Sequence, residues 1–212
     1  MGASRHIERL ARPVTLDLIE KVAVSCLLGV LAARMIPVAI SSGNILPILL
    51  VISETLVVVF ILLRRSTHNI SLSWRDWLFG FAGTVAPLLA APASGTPIAP
   101  LALCGTLMML GFMLNLSAKL TLRRSFGVVA ANRGVKIGGP YRMVRHPMYA
   151  GYTLTQLGFL LSGPTLWNFG LYGLALSLQI IRIRAEERIL RNDPVYAEMS
   201  ERVPYRLVPF VF

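Results

Sequence analysis

The stretch Ile45-Leu46-Pro47-Ile48-Leu49-Leu50-Val51-Ile52-Ser53-Glu54-Thr55-Leu56-Val57-Val58-Val59-Phe60-Ile61-Leu62-Leu63 holds a single acid in an otherwise apolar run. Ser41-Ser42-Gly43-Asn44 precedes it as a turn, and Arg64-Arg65 closes it. A helix crosses the hydrocarbon of a bilayer with about 20 largely apolar residues, so this run reads as a membrane helix. Leu18 to Ile40 and Ile98 to Ala118 meet the same length, Thr165 to Ile181 nearly does, and Trp77 to Ala91 and Met148 to Leu161 are shorter. Six segments predict an all-α, polytopic membrane protein with six crossings, or five if Met148 to Leu161 enters the bilayer without crossing it. Four crossings plus a re-entrant hairpin keep the same parity. The chain is 55% hydrophobic with a mean hydropathy of +0.64, above the balance of a soluble domain. No small-residue cleavage site follows the first run, which is therefore expected to stay as a membrane helix.

The net charge of +11 raises nucleic acid as a partner, but the basic residues fall between apolar runs rather than along one soluble face. No nucleic acid is expected; anionic lipid headgroups suit the pattern better. Of the 21 Lys and Arg residues, all but Arg34 sort onto one side of the stack. Basic loops stay in the cytoplasm, which puts both termini and the polar loop Lys119 to Pro147 there. The histidines His6, His68 and His146 have no metal-ligand spacing, and Cys26 and Cys104 sit in apolar runs as small hydrophobes.

Polar chemistry gathers in two places. Gly138-Gly139-Pro140-Tyr141-Arg142-Met143-Val144-Arg145-His146-Pro147-Met148-Tyr149-Ala150-Gly151 stands just before one apolar run, and Arg182-Ile183-Arg184-Ala185-Glu186-Glu187-Arg188 closes the next. The plain reading of the first is a basic headgroup anchor. It accounts for Arg142 and Arg145 but not for His146-Pro147 with Tyr149 and Tyr152 between glycines. Glycine lets a backbone approach a ligand closely, Pro147 suits the first turn of a helix, and free N–H groups at that helix start would receive an anion. The plain reading of the second cluster is a surface helix with i, i+4 pairs, Arg182 to Glu186 and Glu187 to Arg191. Its place at the mouth of a hairpin, opposite the first cluster, favours a site: carboxylates would hold hydroxyls or an amine, and arginines a carboxylate.

Three further features have structural readings. Glu54, the one acid in mid-membrane, is expected to be neutral or paired with a polar group on a neighbouring helix. A proton-relay role would need partners, and the other segments offer few. Trp74 and Trp77 read as interfacial anchors. Met108, Met109 and Met113 read as packing, or as a flexible wall against a lipid tail.

The ordered pattern Gly-Pro-Tyr-Arg-x-Val-Arg-His-Pro-Met-Tyr-x-Gly, a hairpin, Arg-x-Glu-Glu-x-x-Leu, then Pro204-Tyr205-Arg206-Leu207-Val208-Pro209 resembles the isoprenylcysteine carboxyl methyltransferase-like family of membrane methyltransferases, which phospholipid N-methyltransferases also resemble. The likeness covers 119–212; 1–118 is similar only as membrane helices. It implies a four-helix scaffold over 1–118 and a catalytic region over 119–212, with S-adenosylmethionine in a cytoplasm-facing pocket. By resemblance, the Gly139 backbone with Tyr141, His146, Pro147, Tyr149, Glu186 and Glu187 would bind the cofactor. Arg145 and Arg184 would orient an acceptor carboxylate. The acceptor would be lipophilic and arrive from the bilayer, with carboxyl O-methylation favoured over N-methylation of a phospholipid or small amine. One departure is that Tyr196 is followed by Met199, where the family's tail has a second tyrosine. Two other functions compete. An NADPH-dependent membrane reductase would use Arg123, Arg124, Arg133 and Lys136 for the extra phosphate. A non-catalytic lipid-binding protein would leave the paired clusters without a task.

Overall fold

The computed structural model describes residues 2–63, 74–92, 95–122 and 134–212. Among them are seven α-helices and no strand: α1 (Gly2–Ser42), α2 (Leu46–Leu63), α3 (Trp74–Val85), α4 (Leu101–Leu122), α5 (Pro147–Ser162), α6 (Leu166–Leu190) and α7 (Pro194–Arg202). A single 3-10 turn, Ala86–Leu89, prolongs α3, and another, Gly139–Arg142, precedes α5. All six expected segments are helices. Lys21–Ser42 within α1, α2, α4 and α6 are long and apolar enough to cross a membrane. α5 has 16 residues, about 24 Å at 1.5 Å per residue, short of the ~30 Å hydrocarbon core. Ile40, Leu63, Leu110, Leu166 and Phe169 are exposed on the outside of the bundle, a surface suited to lipid rather than water.

Local chemistry sets the turns. Gly43 has a φ of 65°, and Asn44 Oδ1 accepts from Leu46 N at 3.0 Å, so α1 ends and α2 starts within three residues. Asn168, wholly buried, accepts from Ala91 N and donates to Ala91 O, both at 2.9 Å, which clamps the start of α6 to the chain after α3. Thr165 caps α6 by accepting from Asn168 N at 3.0 Å, and Asp193 caps α7 by accepting from Val195 N at 3.0 Å.

The most extensive helix pair is α4 with α5. A Cβ added to Gly111 would lie 2.6 Å from Gly151 O, one on Gly151 would lie 2.7 Å from Gly111 O, and one on Gly158 would lie 2.7 Å from Cys104 O. The two backbones touch, the membrane form of small-residue packing. Thus α4, read from sequence as part of the scaffold, is the helix on which α5 is mounted.

The three largest differences from the expected segment boundaries lie in α1, α6 and α4. α1 begins at Gly2 rather than Leu18. α6 runs past Ile181 to Leu190, so the Arg182–Arg188 cluster is helix, as its i, i+4 spacing predicted, with the Arg182–Glu186 and Arg191–Glu187 pairs each 3.8 Å. α4 continues through Leu122, so Lys119 is not in the polar loop: it is fully buried, 5.0 Å from the ring centre of Tyr152 and 5.8 Å from that of Phe60. Aromatic faces on two neighbouring helices attract the ammonium inward. Of the basic loop residues, Arg64, Arg65, Arg123, Arg124 and Arg133 lie outside the described residues.

Candidate active site

Pro147 opens α5, with His146 as its N-cap residue in a non-helical conformation. Immediately upstream, Gly139 takes a φ of 57°, in the left-handed region open to glycine, and starts the turn that buries Pro140 and Tyr141. A Cβ on Gly139 would stand 2.8 Å from Thr121 Oγ1, so a larger residue would push the loop off α4. The C-terminal tail then fixes the strand of loop before α5: Arg145 N donates to Tyr205 O and His146 N to Arg206 O, both at 2.9 Å. These contacts bring the two polar clusters, forty residues apart in sequence, face to face.

Glu187 is the hub. Its Oε1 lies 3.3 Å from Arg145 Nη1 and 3.3 Å from His146 Nε2. Its Oε2 accepts from Arg206 Nε at 2.9 Å and lies 3.8 Å from Arg191 Nη2. Its side chain is only 4% exposed. Arg145 also donates to Pro204 O at 3.0 Å. Glu186 is placed differently. Its Oε1 accepts from the Tyr149 hydroxyl at 2.6 Å and lies 3.8 Å from Arg182 Nη2, while His146 Nδ1 is 3.8 Å from Oε2. At 20% exposure Glu186 is the more accessible carboxylate. The His146 ring therefore stands between the two acids.

Tyr141 and Tyr196 stay protonated. Burial first, then the Glu186 charge, pushes the Tyr141 hydroxyl above its ordinary range. Burial and the Glu187 charge do the same to Tyr196. Both hydroxyls are thus neutral in the field of the carboxylates. Tyr196 is buried in α7, and Met199, three residues on, is buried packing.

Of the residues singled out from sequence, Tyr141, Arg145, His146, Pro147, Tyr149, Glu186 and Glu187 come together with the Gly139 turn beside them. Arg184 does not: it is exposed on α6, and among the described residues it makes no ion pair. Arg206 and Arg182 join them, although neither was given a role in the site from sequence. Arg206 repeats, in Pro204-Tyr205-Arg206, the order of Pro140-Tyr141-Arg142, which was the available signal. Beside Gly139, an open cleft of about 650 Å³ runs along Met113, Leu116, Ser117, Leu120 and Thr121 of α4 to Lys136.

The cluster's donors and acceptors suit the polar parts of S-adenosylmethionine. Glu186 offers an accessible carboxylate for ribose hydroxyls or an ammonium, and the arginines match a carboxylate.

Residues 99–197 match the family model for phospholipid methyltransferases. Over this stretch, which takes in α4, α5, α6 and the start of α7, the chain is similar to that family, in keeping with the resemblance read from its motifs. The match supports a methyltransferase, and with the four apolar helices it supports an integral membrane protein. No curated protein matches the chain.

Proposed function

We propose, with the family match over residues 99–197 as premise, that the protein is an S-adenosylmethionine-dependent methyltransferase of the membrane acting on a lipophilic acceptor. The observation that carries this reading is the convergence of His146 and Tyr149 on Glu186 and Glu187 at the end of a membrane-spanning helix. Bound there, S-adenosylmethionine supplies a methyl group already activated by its sulfonium. Glu187, tied by Arg145, His146 and Arg206, sets the geometry of the pocket floor. Glu186, with Tyr149 and Tyr141, would hold the polar groups of the ligand, and the Gly139 turn would let the backbone close on it. Positioning of this kind can be worth about 7–11 kcal/mol. The cleft along α4 gives a lipid tail a sideways approach from the bilayer. In this reading α4 to α7 form the working half, α1 to α3 the scaffold, and both termini lie in the cytoplasm.

For the acceptor, the arrangement favours an amine. Carboxyl O-methylation needs a guanidinium free to orient the carboxylate. Arg145 is committed to Glu187 and Pro204 O, and Arg184 stands outside the cluster. An amine needs instead a carboxylate to hold it and a route for its proton, and Glu186 is the accessible acid. The test is methyl transfer from radiolabelled S-adenosylmethionine by detergent-purified protein to phosphatidylethanolamine or to a long-chain fatty acid in mixed micelles. Label in the phosphatidylethanolamine is the expected result. Label in the fatty acid alone would return the acceptor to a carboxylate and give Arg145 the orienting role.

A further inference from the structure

A buried cavity lies behind the site. Between α2, α3, α5 and α6 lies a small cavity of about 20 Å³, lined by Glu54, Thr84, Tyr149, Tyr152, Gln179 and Arg182, with Val57, Gly83, Pro87 and Met148 completing the wall. That is room for about one water molecule, and a polar cavity of that size normally holds one. Six hydrogen-bonding side chains turned onto one small space inside a membrane bundle are costly unless they serve one another or a solvent molecule.

The cavity is joined to the cofactor cluster by two shared residues. Tyr149 borders it and donates its hydroxyl to Glu186. Arg182 borders it, lies 3.5 Å from Thr84 Oγ1 through Nη1, stands 5.3 Å from the Tyr149 ring centre and pairs with Glu186. At the far end is Glu54, buried, and acting electrostatically on buried Lys119 from α4. The partners that the sequence did not show for Glu54 are therefore present, contributed by α3, α4, α5 and α6.

We propose that this chamber takes one water molecule and that Glu54, through it and Tyr149, is the proton acceptor for the reaction centre at Glu186. This rests on the amine-acceptor reading. The acceptor enters as an ammonium at Glu186. Its N–H bond breaks and the proton passes by way of Glu186, the Tyr149 hydroxyl and the chamber water to a Glu54 carboxylate oxygen, where an O–H bond forms. The freed lone pair of nitrogen forms the bond to the methyl carbon, and sulfur keeps the electron pair of the bond that breaks. The proton later returns to solvent by the same route. The charged and titratable groups around Glu54 are Lys119 from α4, Tyr149 and Tyr152 from α5, and Tyr172 and Arg182 from α6. α3 contributes Thr84, and Arg34 of α1 is exposed.

The test is Glu54→Gln in the full chain, with phosphatidylethanolamine in mixed micelles as acceptor. The expected result is S-adenosylmethionine affinity unchanged within about twofold and kcat at neutral pH lowered by about 100-fold or more, the usual loss of a general base. The deficit should shrink by about tenfold per pH unit as the amine loses its proton to solvent, and Glu54→Asp should recover part of the rate. In the wild type, infrared difference spectra on adding the acceptor should show a carboxylic acid band that Glu54→Gln removes. Unchanged kcat and pH profile in Glu54→Gln would overturn the proposal. If that variant does not fold, absence of any buried carboxylic acid band in the working wild type would do so. Failure of the wild type to bind S-adenosylmethionine would instead strike the proposed function itself.

Discussion

Glu186 and Glu187 are neighbours in sequence with different surroundings, and the difference sets what each substitution should do. Glu187 faces Arg145, His146 and Arg206. Hydrogen bonds to charged groups contribute about 1.5–3 kcal/mol, so Glu187→Gln, which leaves these partners facing a neutral amide, should lower S-adenosylmethionine affinity by about tenfold or more. Its unfolding temperature in detergent should also fall. Tyr149→Phe removes only the hydroxyl held by Glu186. By the same magnitude it should weaken cofactor binding by about tenfold, with the fold retained. Arg184→Ala, on the exposed face of α6, should leave binding within about twofold, the usual range of a surface change. Calorimetric titration measures all three. At this scale the sequence was informative where order along the chain carries the chemistry: His146-Pro147, Tyr149 and Glu186-Glu187 stand out by spacing alone. Arg206 and Lys119 were not legible in the same way. What decides their role is a partner brought up by tertiary packing, a carboxylate across the tail for one and two aromatic rings on other helices for the other.

The α4–α5 contact holds the motif loop in place. With Gly151 against Gly111 O, Gly151→Ala should force the backbones apart and cost about 1–3 kcal/mol. Gly173→Ala on α6, where an added Cβ meets nothing within 4 Å, should be neutral or gain up to about 1 kcal/mol from helix propensity. Thermal unfolding in detergent separates the two, and equal effects would mean that α4 and α5 are not in backbone contact. Helix positions were readable from apolar length and from Gly and Pro punctuation, since a membrane core admits few alternatives to a helix. Helix ends were less so. The polar end of α4 looked like loop because hydropathy drops there, yet aromatic contacts continue the helix, whereas the polar end of α6 was legible as helix from its i, i+4 pairs. That α4 belongs with α5 was hidden as well, because glycine contact between two apolar runs leaves no polar mark.

For the whole molecule, the proposed topology, drawn from charge asymmetry among the loops, has both termini in the cytoplasm. In a background of Cys26→Ser and Cys104→Ala, cysteine placed at Ser42 should react with a membrane-impermeant maleimide added to intact cells, and cysteine at Glu198 only after permeabilisation. Reaction at Glu198 in intact cells would reverse the orientation and remove the cofactor pocket from the cytoplasmic supply of S-adenosylmethionine. The central claim is that the joined Arg145–His146 and Glu186–Glu187 clusters form a methyl-donor site. Its most direct measurement is calorimetric titration of the folded, detergent-purified protein with S-adenosylmethionine and, separately, with NADPH. The account expects saturable binding of S-adenosylmethionine, weakened by about tenfold or more in Glu187→Gln, and no binding of NADPH. Binding of NADPH alone would make the protein a reductase, and binding of neither would leave the clusters without a catalytic role.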